Sequence, residues 1–407
     1  MQLAGAIDES IGVVGASAAG LLAALFVART GREVRIFERA ECLNPAARTL
    51  IVTDRIRTLL GPAYSKCVVN EIRAIELFTD GRSGGVQLDS PDLVIERSHL
   101  IRALAQEAQS NGAKLHFGCR FISLRGRREG VELAFAPNRL RSIPDDQPVC
   151  CGTAIAADGA HSSVARAIGA PPLNTAPLVQ AVVKLPAGMP PDTVRVWFVP
   201  EDTPYFYWLI PESREKAALG LIGVDGKHTS RSLVRFMEKH RFTPLGFQAA
   251  RIPVYQGWVP VEHRIGNGRV FLVGDAAAQV KVTTLGGVVT GFRGAQGVSE
   301  RILKGGPSPE LRSLRRELDL HLLIRRSIHQ FRQADYSRLM DAMNERMRRS
   351  LGRINRDQAA RVLWHICRNQ PRLIWMGLRG VFAHSPDTLY QDSAPEVSVW
   401  RPSVIQK

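Results

Sequence analysis

The feature that most constrains this chain is a run of small residues near its start, Gly15-Ala16-Ser17-Ala18-Ala19-Gly20. An apolar stretch, Ser10–Val14, leads into it. A second, Ala18–Thr30, starts inside it and stops at Gly31. Glu33–Phe37 follows, and Glu38-Arg39 closes the unit. A buried strand, a tight turn, an apolar helix and a second strand make a βαβ unit. Small residues at such a turn let the chain reverse sharply, let a diphosphate approach the backbone, and let helix and strand pack closely. The helix start then offers free N–H groups and a partial positive charge to an anion. Ser17 replaces the usual middle glycine; it is small and adds a hydroxyl. Glu38 stands where a carboxylate accepts ribose hydroxyls. The unit is read as a dinucleotide cradle.

The same stretch from Ile11 to Ala28 lacks charge over about 18 residues, the lower limit for a transmembrane helix. Gly12, Gly15, Ser17 and Gly20 interrupt it, and Asp8 and Glu9 precede it where a signal peptide has basic residues. It is read as neither a span nor a leader. The 407 residues are 45% hydrophobic and 23% charged, which excludes a disordered or collagen-like chain. Cys42, Cys67, Cys119, Cys150, Cys151 and Cys367 form no C-x-x-C pair. That argues against a zinc site or a disulfide scaffold and for reduced thiols in the cytoplasm. Basic residues outnumber acidic ones, 54 to 38, a net charge of +16 that favours anionic partners.

Two further strand–turn–helix motifs follow. Ala156-Ala157-Asp158-Gly159 leads to a helix start capped by Ser162 or Ser163. Val270–Val273 delivers Gly274-Asp275, then a loop through Gln279, Lys281, Thr283 and Thr284 to Gly286-Gly287-Val288. A carboxylate there can bind a ribityl hydroxyl, and the Gly-Gly helix start can face the pyrimidine edge of a flavin. Lys281 reads equally as a cation beside a flavin or as an exposed side chain. Between these motifs lie a helix at Ser98–Ser110, a loop at Asn138–Pro148, and β-rich runs at Val179–Leu185, Thr193–Val199, Phe206–Ile210 and Ala217–Val224. From Pro309 the chain reads as helical.

The three motifs in this order resemble the FAD-binding fold shared by aromatic hydroxylases and geranylgeranyl reductases. The resemblance covers about residues 10 to 300. It implies an α/β fold: a Rossmann-like FAD-binding domain in discontinuous segments (1–80, 81–175 and 263–305), a β-rich substrate domain (176–262) and a helical C-terminal region (306–407). It also implies that Arg97, ahead of the helix, and Arg48 contact the cofactor, with Asp158 supporting both FAD and fold. The string from Gly274 to Val288 is similar to the geranylgeranyl reductase version, with Ala278, Val282 and Leu285 where that version has Gly, Pro and Gly. Phe206-Tyr207-Trp208-Leu209-Ile210-Pro211 is similar to that branch's YxWxFP segment. Cys42 is a loose counterpart of its cysteine.

On a regular strand Phe206 and Trp208 share one face, where they could line an apolar tunnel with Trp197. Tyr207 points the other way unless a bulge turns its hydroxyl inward as a proton donor. These three, Phe206, Tyr207 and Trp208, are the substrate-pocket candidates. The expected function is reduction of isoprenoid double bonds by reduced FAD, with NADPH or ferredoxin as electron donor. The alternatives are an FAD monooxygenase, a flavin halogenase, for which a catalytic-lysine segment is missing, and a flavin-binding protein with a decayed site. Arg315, Arg316, Arg325, Arg326, Arg346, Arg348 and Arg349 among apolar residues suggest a face for anionic lipid, or for a diphosphate, on a peripheral protein. No module for nucleic acid is present.

Overall fold

A computed structural model describes residues 9–136, 148–329 and 331–369. The loop expected at Asn138–Pro148 and the last residues of the chain fall outside them, apart from Pro148. The chain runs β1 (Ile11–Val14), α1 (Ala18–Ala28), β2 (Val34–Phe37), β3 (Thr49–Val52), α2 (Arg55–Leu60), β4 (Val68–Thr79), β5 (Arg82–Glu96) and α3 (Arg97–Ser110). Then come β6 (Lys114–His116), β7 (Phe121–Gly126), β8 (Val131–Phe135), β9 (Val149–Cys151), β10 (Thr153–Ala156) and α4 (Ser163–Ala167). The middle holds β11 (Thr175–Lys184), β12 (Thr193–Trp197), β13 (Tyr207–Pro211), β14 (Lys216–Ile222), α5 (Gly226–His240) and β15 (Pro244–Pro253). Last are β16 (Glu262–Ile265), β17 (Gly268–Leu272), α6 (Val288–Lys304), α7 (Pro309–Ile328), α8 (Gln333–Ala342), α9 (Glu345–Gly352) and α10 (Ala359–Asn369).

The six-stranded sheet has the order β16-β17-β10-β1-β2-β6, parallel except at the β16 edge. Its central strands are buried on both faces, which is why they read as short runs of Val, Ile and Ala. Helix α1 packs between α3 and α6. Small residues allow this convergence: a Cβ on Gly20 would lie 2.6 Å from Cβ of Ala157, and one on Gly274 would lie 2.8 Å from Cβ of Ala19.

The eight-stranded sheet has the order β15-β11-β14-β13-β12-β4-β5-β3. The hairpin β4–β5 therefore belongs to this sheet, and the boundary expected at residues 80/81 falls at its turn. That turn carried a local signal. Asp80 (φ 41°) and Gly81 (φ 71°) are both left-handed, as a type I′ turn requires. Helix α5 is a second element beyond the sequence expectations. It lays Leu233, Phe236 and Met237 against Tyr207, Leu209, Leu219 and Leu221, forming a second core on one face of the sheet. The other face looks toward the six-stranded sheet. Helices α8 and α9 pack Met340, Met343 and Met347 on Val86 of β5, and α10 rests on α7 and α9.

Candidate functional site

Between the two sheets lies a cavity of about 1680 Å³. A pocket for one small ligand is typically 300–1,000 Å³, so this one has room for a dinucleotide and a second molecule. At one end stands the glycine-rich turn. Gly15 has φ +100°, and a Cβ on it would meet the Ala157 carbonyl oxygen at 2.6 Å. Ser17 caps α1 by accepting from the Gly20 N–H (3.2 Å), which leaves its own proton to donate. Glu38 accepts from the Ala16 N–H (2.8 Å) and the Ala40 N–H (3.0 Å), which fixes its carboxylate beside the turn. Gly15, Ser17, Ala18, Ala19, Glu38 and Arg39 all line this end; Gly20 does not, being packed against Ala157 inside the helix.

Arg48, Arg97 and Asp275 line the same cavity and act on one another electrostatically. The Arg48 N–H donates to the Glu96 carboxylate (2.9 Å), which also caps α3 by accepting from the His99 N–H (3.0 Å). Burial pushes the Arg48 guanidinium below its usual range, as does neighbouring Arg97, while Asp275 acts the other way. Burial lowers Arg97 as well, with Asp275 the largest opposing influence. The Asp275 carboxyl is pushed up by burial and drawn back by both arginines. Nε of Arg48 has no hydrogen-bond partner. Two guanidiniums in the cavity that the start of α1 also lines suit a diphosphate. Gly286, Gly287 and Val288 line the same space at the start of α6.

Asp158 also lines the cavity, but its carboxylate is engaged by α4. It accepts from the N–H groups of Ser163 (2.7 Å) and Val164 (3.3 Å) and from the Ser162 hydroxyl. Its role here is to cap that helix.

The lobe of the cavity against the eight-stranded sheet is largely apolar, with Gln180 and Gln248 among its lining residues. Phe206, Trp208 and Ile210 of the β13 segment line it, with Leu178, Val194 and Ile222 of neighbouring strands. Trp208 lies across from Gly220, where a Cβ would come within 2.6 Å of the indole. Two expectations are corrected here. β13 pairs with β14 without a bulge, so Tyr207 points into the second core, stacks on Phe236 (4.1 Å) and donates to Asp202 (2.8 Å). Trp197 shares that core, stacked on Phe78 (5.3 Å). Cys42 is exposed and does not line the cavity.

Of the two readings of Lys281 the exposed one is corrected: the side chain lines the cavity, and its ammonium pairs with Asp357, which is 1% exposed and also accepts from Thr53; the sequence pointed to neither Asp357 nor His321. His321 is buried, with Nδ1 2.8 Å from the Thr283 hydroxyl. Lys281, Thr283, His321 and Asp357 all line the cavity. They come from sequence-distant segments, and periodicity cannot bring α7 or the α9–α10 link to the glycine loop. Ala278 and Leu285, which occupy family glycine positions, keep left-handed backbones with φ 50° each. The loop thus follows a path glycine favours, with strain at two side chains.

Burial, with Lys281 adding to it, lowers the His321 pKa from 6.5 to about 4. Folded His321 stays neutral while the unfolded chain takes up a proton below about pH 6.5. Its stabilising share is complete above that pH and is lost as pH falls toward about 4. The slope from this one group is about 1.4 kcal/mol per pH unit. Urea unfolding across this window should give a shallower pH dependence for His321→Gln than for the wild type. Equal slopes would mean that the imidazole is not held neutral.

A family model described as an FAD binding domain matches residues 8–299. The chain belongs to that family. It is 30% identical over 301 residues to digeranylgeranylglycerophospholipid reductase 2 of Methanothermobacter thermautotrophicus, covering 68% of this chain and 73% of that one. Its fold matches a geranylgeranyl bacteriochlorophyll reductase-like protein of Thermoplasma acidophilum at TM-score 0.75 and 18% identity, over 91% and 98% of the two chains. It also matches 2-methyl-3-hydroxypyridine-5-carboxylic acid oxygenase at TM-score 0.58 and 17% identity, over 85% and 98%. This FAD-binding oxidoreductase has residues that fit the cofactor. Gly15 admits the close approach, Arg48 retains a buried unpartnered nitrogen, and a Cβ on Gly286 would meet nothing nearer than 3.4 Å.

Proposed function

We propose that the protein saturates isolated double bonds of an isoprenoid chain. The observation that carries this reading is the apolar lobe, which opens directly onto the cofactor cradle and is walled by Phe206, Trp208, Ile210 and aliphatic side chains. Reduced FAD, when bound, supplies the hydride. Gly15 and Ser17 with Arg48 and Arg97 would hold the diphosphate, Glu38 the adenosine ribose, Asp275 the ribityl chain, and Gly286, Gly287 and Val288 the pyrimidine edge. Trp208 and Phe206 would align the chain and keep water out, which matters because transfer to an alkene needs close, dry contact. The relationship to a digeranylgeranylglycerophospholipid reductase supports the same substrate class. NADPH and ferredoxin are the candidate electron donors.

The test is Gly220→Ala. Its methyl would meet the Trp208 indole at 2.6 Å and Cβ of Gln180 at 2.5 Å, within the eight-stranded sheet. The expected result is a full complement of FAD and at least a tenfold loss of kcat/KM on a geranylgeranyl lipid, about 1.4 kcal/mol or more. An unchanged kcat/KM would contradict the assignment of the lobe. Oxygen uptake coupled to hydroxylation of an aromatic compound, with no turnover of prenyl lipid, would move the protein to the monooxygenases.

A further inference from the structure

Helices α7 and α10 each show two unlike faces. Ile324 and Ile328 of α7, with Val362, Leu363 and Ile366 of α10, line the apolar lobe. On the opposite side of α7, Arg312, Arg316, Leu323 and Arg326 share one stripe, as their spacing of three and four residues dictates. On α10, Arg361, Trp364 and Arg368 do the same. The two helices pack together. Leu323 is 44% exposed and Trp364 is 55% exposed. Arg368 lies over the Trp364 ring, 5.2 Å from its centre. Among the described residues, Arg312, Arg316, Arg326 and Arg361 have no carboxylate partner. On α7 Arg315 pairs with Asp319, and on the neighbouring α8 and α9 Arg338 pairs with Asp335 and Arg349 with Glu345.

We infer that the outer face of α7 and α10 docks on an anionic lipid bilayer, with Trp364 and Leu323 entering the headgroup region and the arginines facing acidic lipids. Unpaired guanidiniums around exposed tryptophan and leucine are the chemistry of an interfacial helix. An acidic protein would complement the charge but gives no reason for the exposed apolar pair. Among the described residues no helix is long and apolar enough to cross a membrane. The wall of the lobe and the docking face are two sides of the same helices, so docking holds the lobe close to the bilayer surface. That a membrane lipid is the cargo rests on the proposed function; the docking itself does not.

The experiment is sedimentation of the full-length, FAD-loaded protein with vesicles of phosphatidylcholine alone or with added phosphatidylglycerol. Binding is expected only to the anionic vesicles and should weaken as salt rises. Each arginine at such a surface contributes about fivefold, so Arg312→Gln with Arg316→Gln should weaken partitioning at least tenfold. Arg125→Gln with Arg128→Gln, the same charge change near the β7–β8 turn, should leave it within about twofold. Brominated lipid should quench tryptophan emission in the wild type and much less in Trp364→Phe. Equal binding to neutral vesicles, no binding, equal effects of the two double variants, or quenching unchanged by Trp364→Phe would each overturn the inference. Docking without prenyl reduction would count against the proposed function alone; prenyl reduction without docking would count against this inference alone.

Discussion

Gly15→Ala will yield protein without FAD. At φ +100° an L side chain is strained, which costs of order 1–3 kcal/mol. The new methyl also meets the Ala157 carbonyl oxygen at 2.6 Å and its carbon at 2.8 Å, and backbone cannot swing aside as a flexible side chain can. The turn must therefore move away from β10, taking the Ala16 N–H from Glu38 and the start of α1 from the diphosphate. The expected readout is loss of flavin absorption in the purified protein and at least a hundredfold weaker rebinding of FAD. Gly31→Ala is the control. Gly31 is also left-handed, with φ +81°, but a Cβ there meets nothing within 4 Å. It should cost about 1 kcal/mol of stability and leave FAD binding unchanged. Equal loss of FAD in both variants would mean that backbone strain, rather than close approach, governs the site.

Arg293→Met should be strongly destabilising. Arg293 is 1% exposed and donates to Glu310, Glu317 and the Ser313 hydroxyl (3.1 Å), tying α6 to α7. Burial already pushes the Glu317 carboxyl up, and Arg293 is the strongest influence holding it back. Removing the guanidinium leaves two partly buried carboxylates without their main partner. Breaking such a network from one side costs about 3–5 kcal/mol. Denaturant unfolding of the FAD-loaded protein measures it. Adding Glu310→Gln and Glu317→Gln to Arg293→Met should recover most of the loss, because the penalty belongs to the stranded charges rather than to the missing bond. No recovery would place the effect in packing.

Sequence legibility followed the range of the forces involved. The cradle from Ile11 to Glu38 was readable because a tight turn, a helix cap and a close backbone approach make local demands on residue type. The opposed faces of Phe206, Trp208 and Tyr207 were readable from strand alternation alone, and the unbulged pairing of β13 with β14 leaves Tyr207 in the second core. Trp197 was misplaced because sequence proximity does not choose a face across two strands. The β4–β5 hairpin carried an Asp80-Gly81 signal that was passed over in favour of a domain boundary. Lys281 with Asp357, and Thr283 with His321, were not legible. Each pair joins the glycine loop to a helical segment whose own pattern reports an amphipathic helix and nothing of what it meets.

The central claim is that the apolar lobe presents an alkene to a reduced flavin. The most direct measurement is to reduce the FAD-loaded protein anaerobically, mix it with a geranylgeranyl lipid, and follow the flavin spectrum without oxygen. The account predicts return of the oxidised spectrum and a product that has gained a pair of hydrogens. A flavin that stays reduced until air is admitted, with the lipid unchanged, would contradict it.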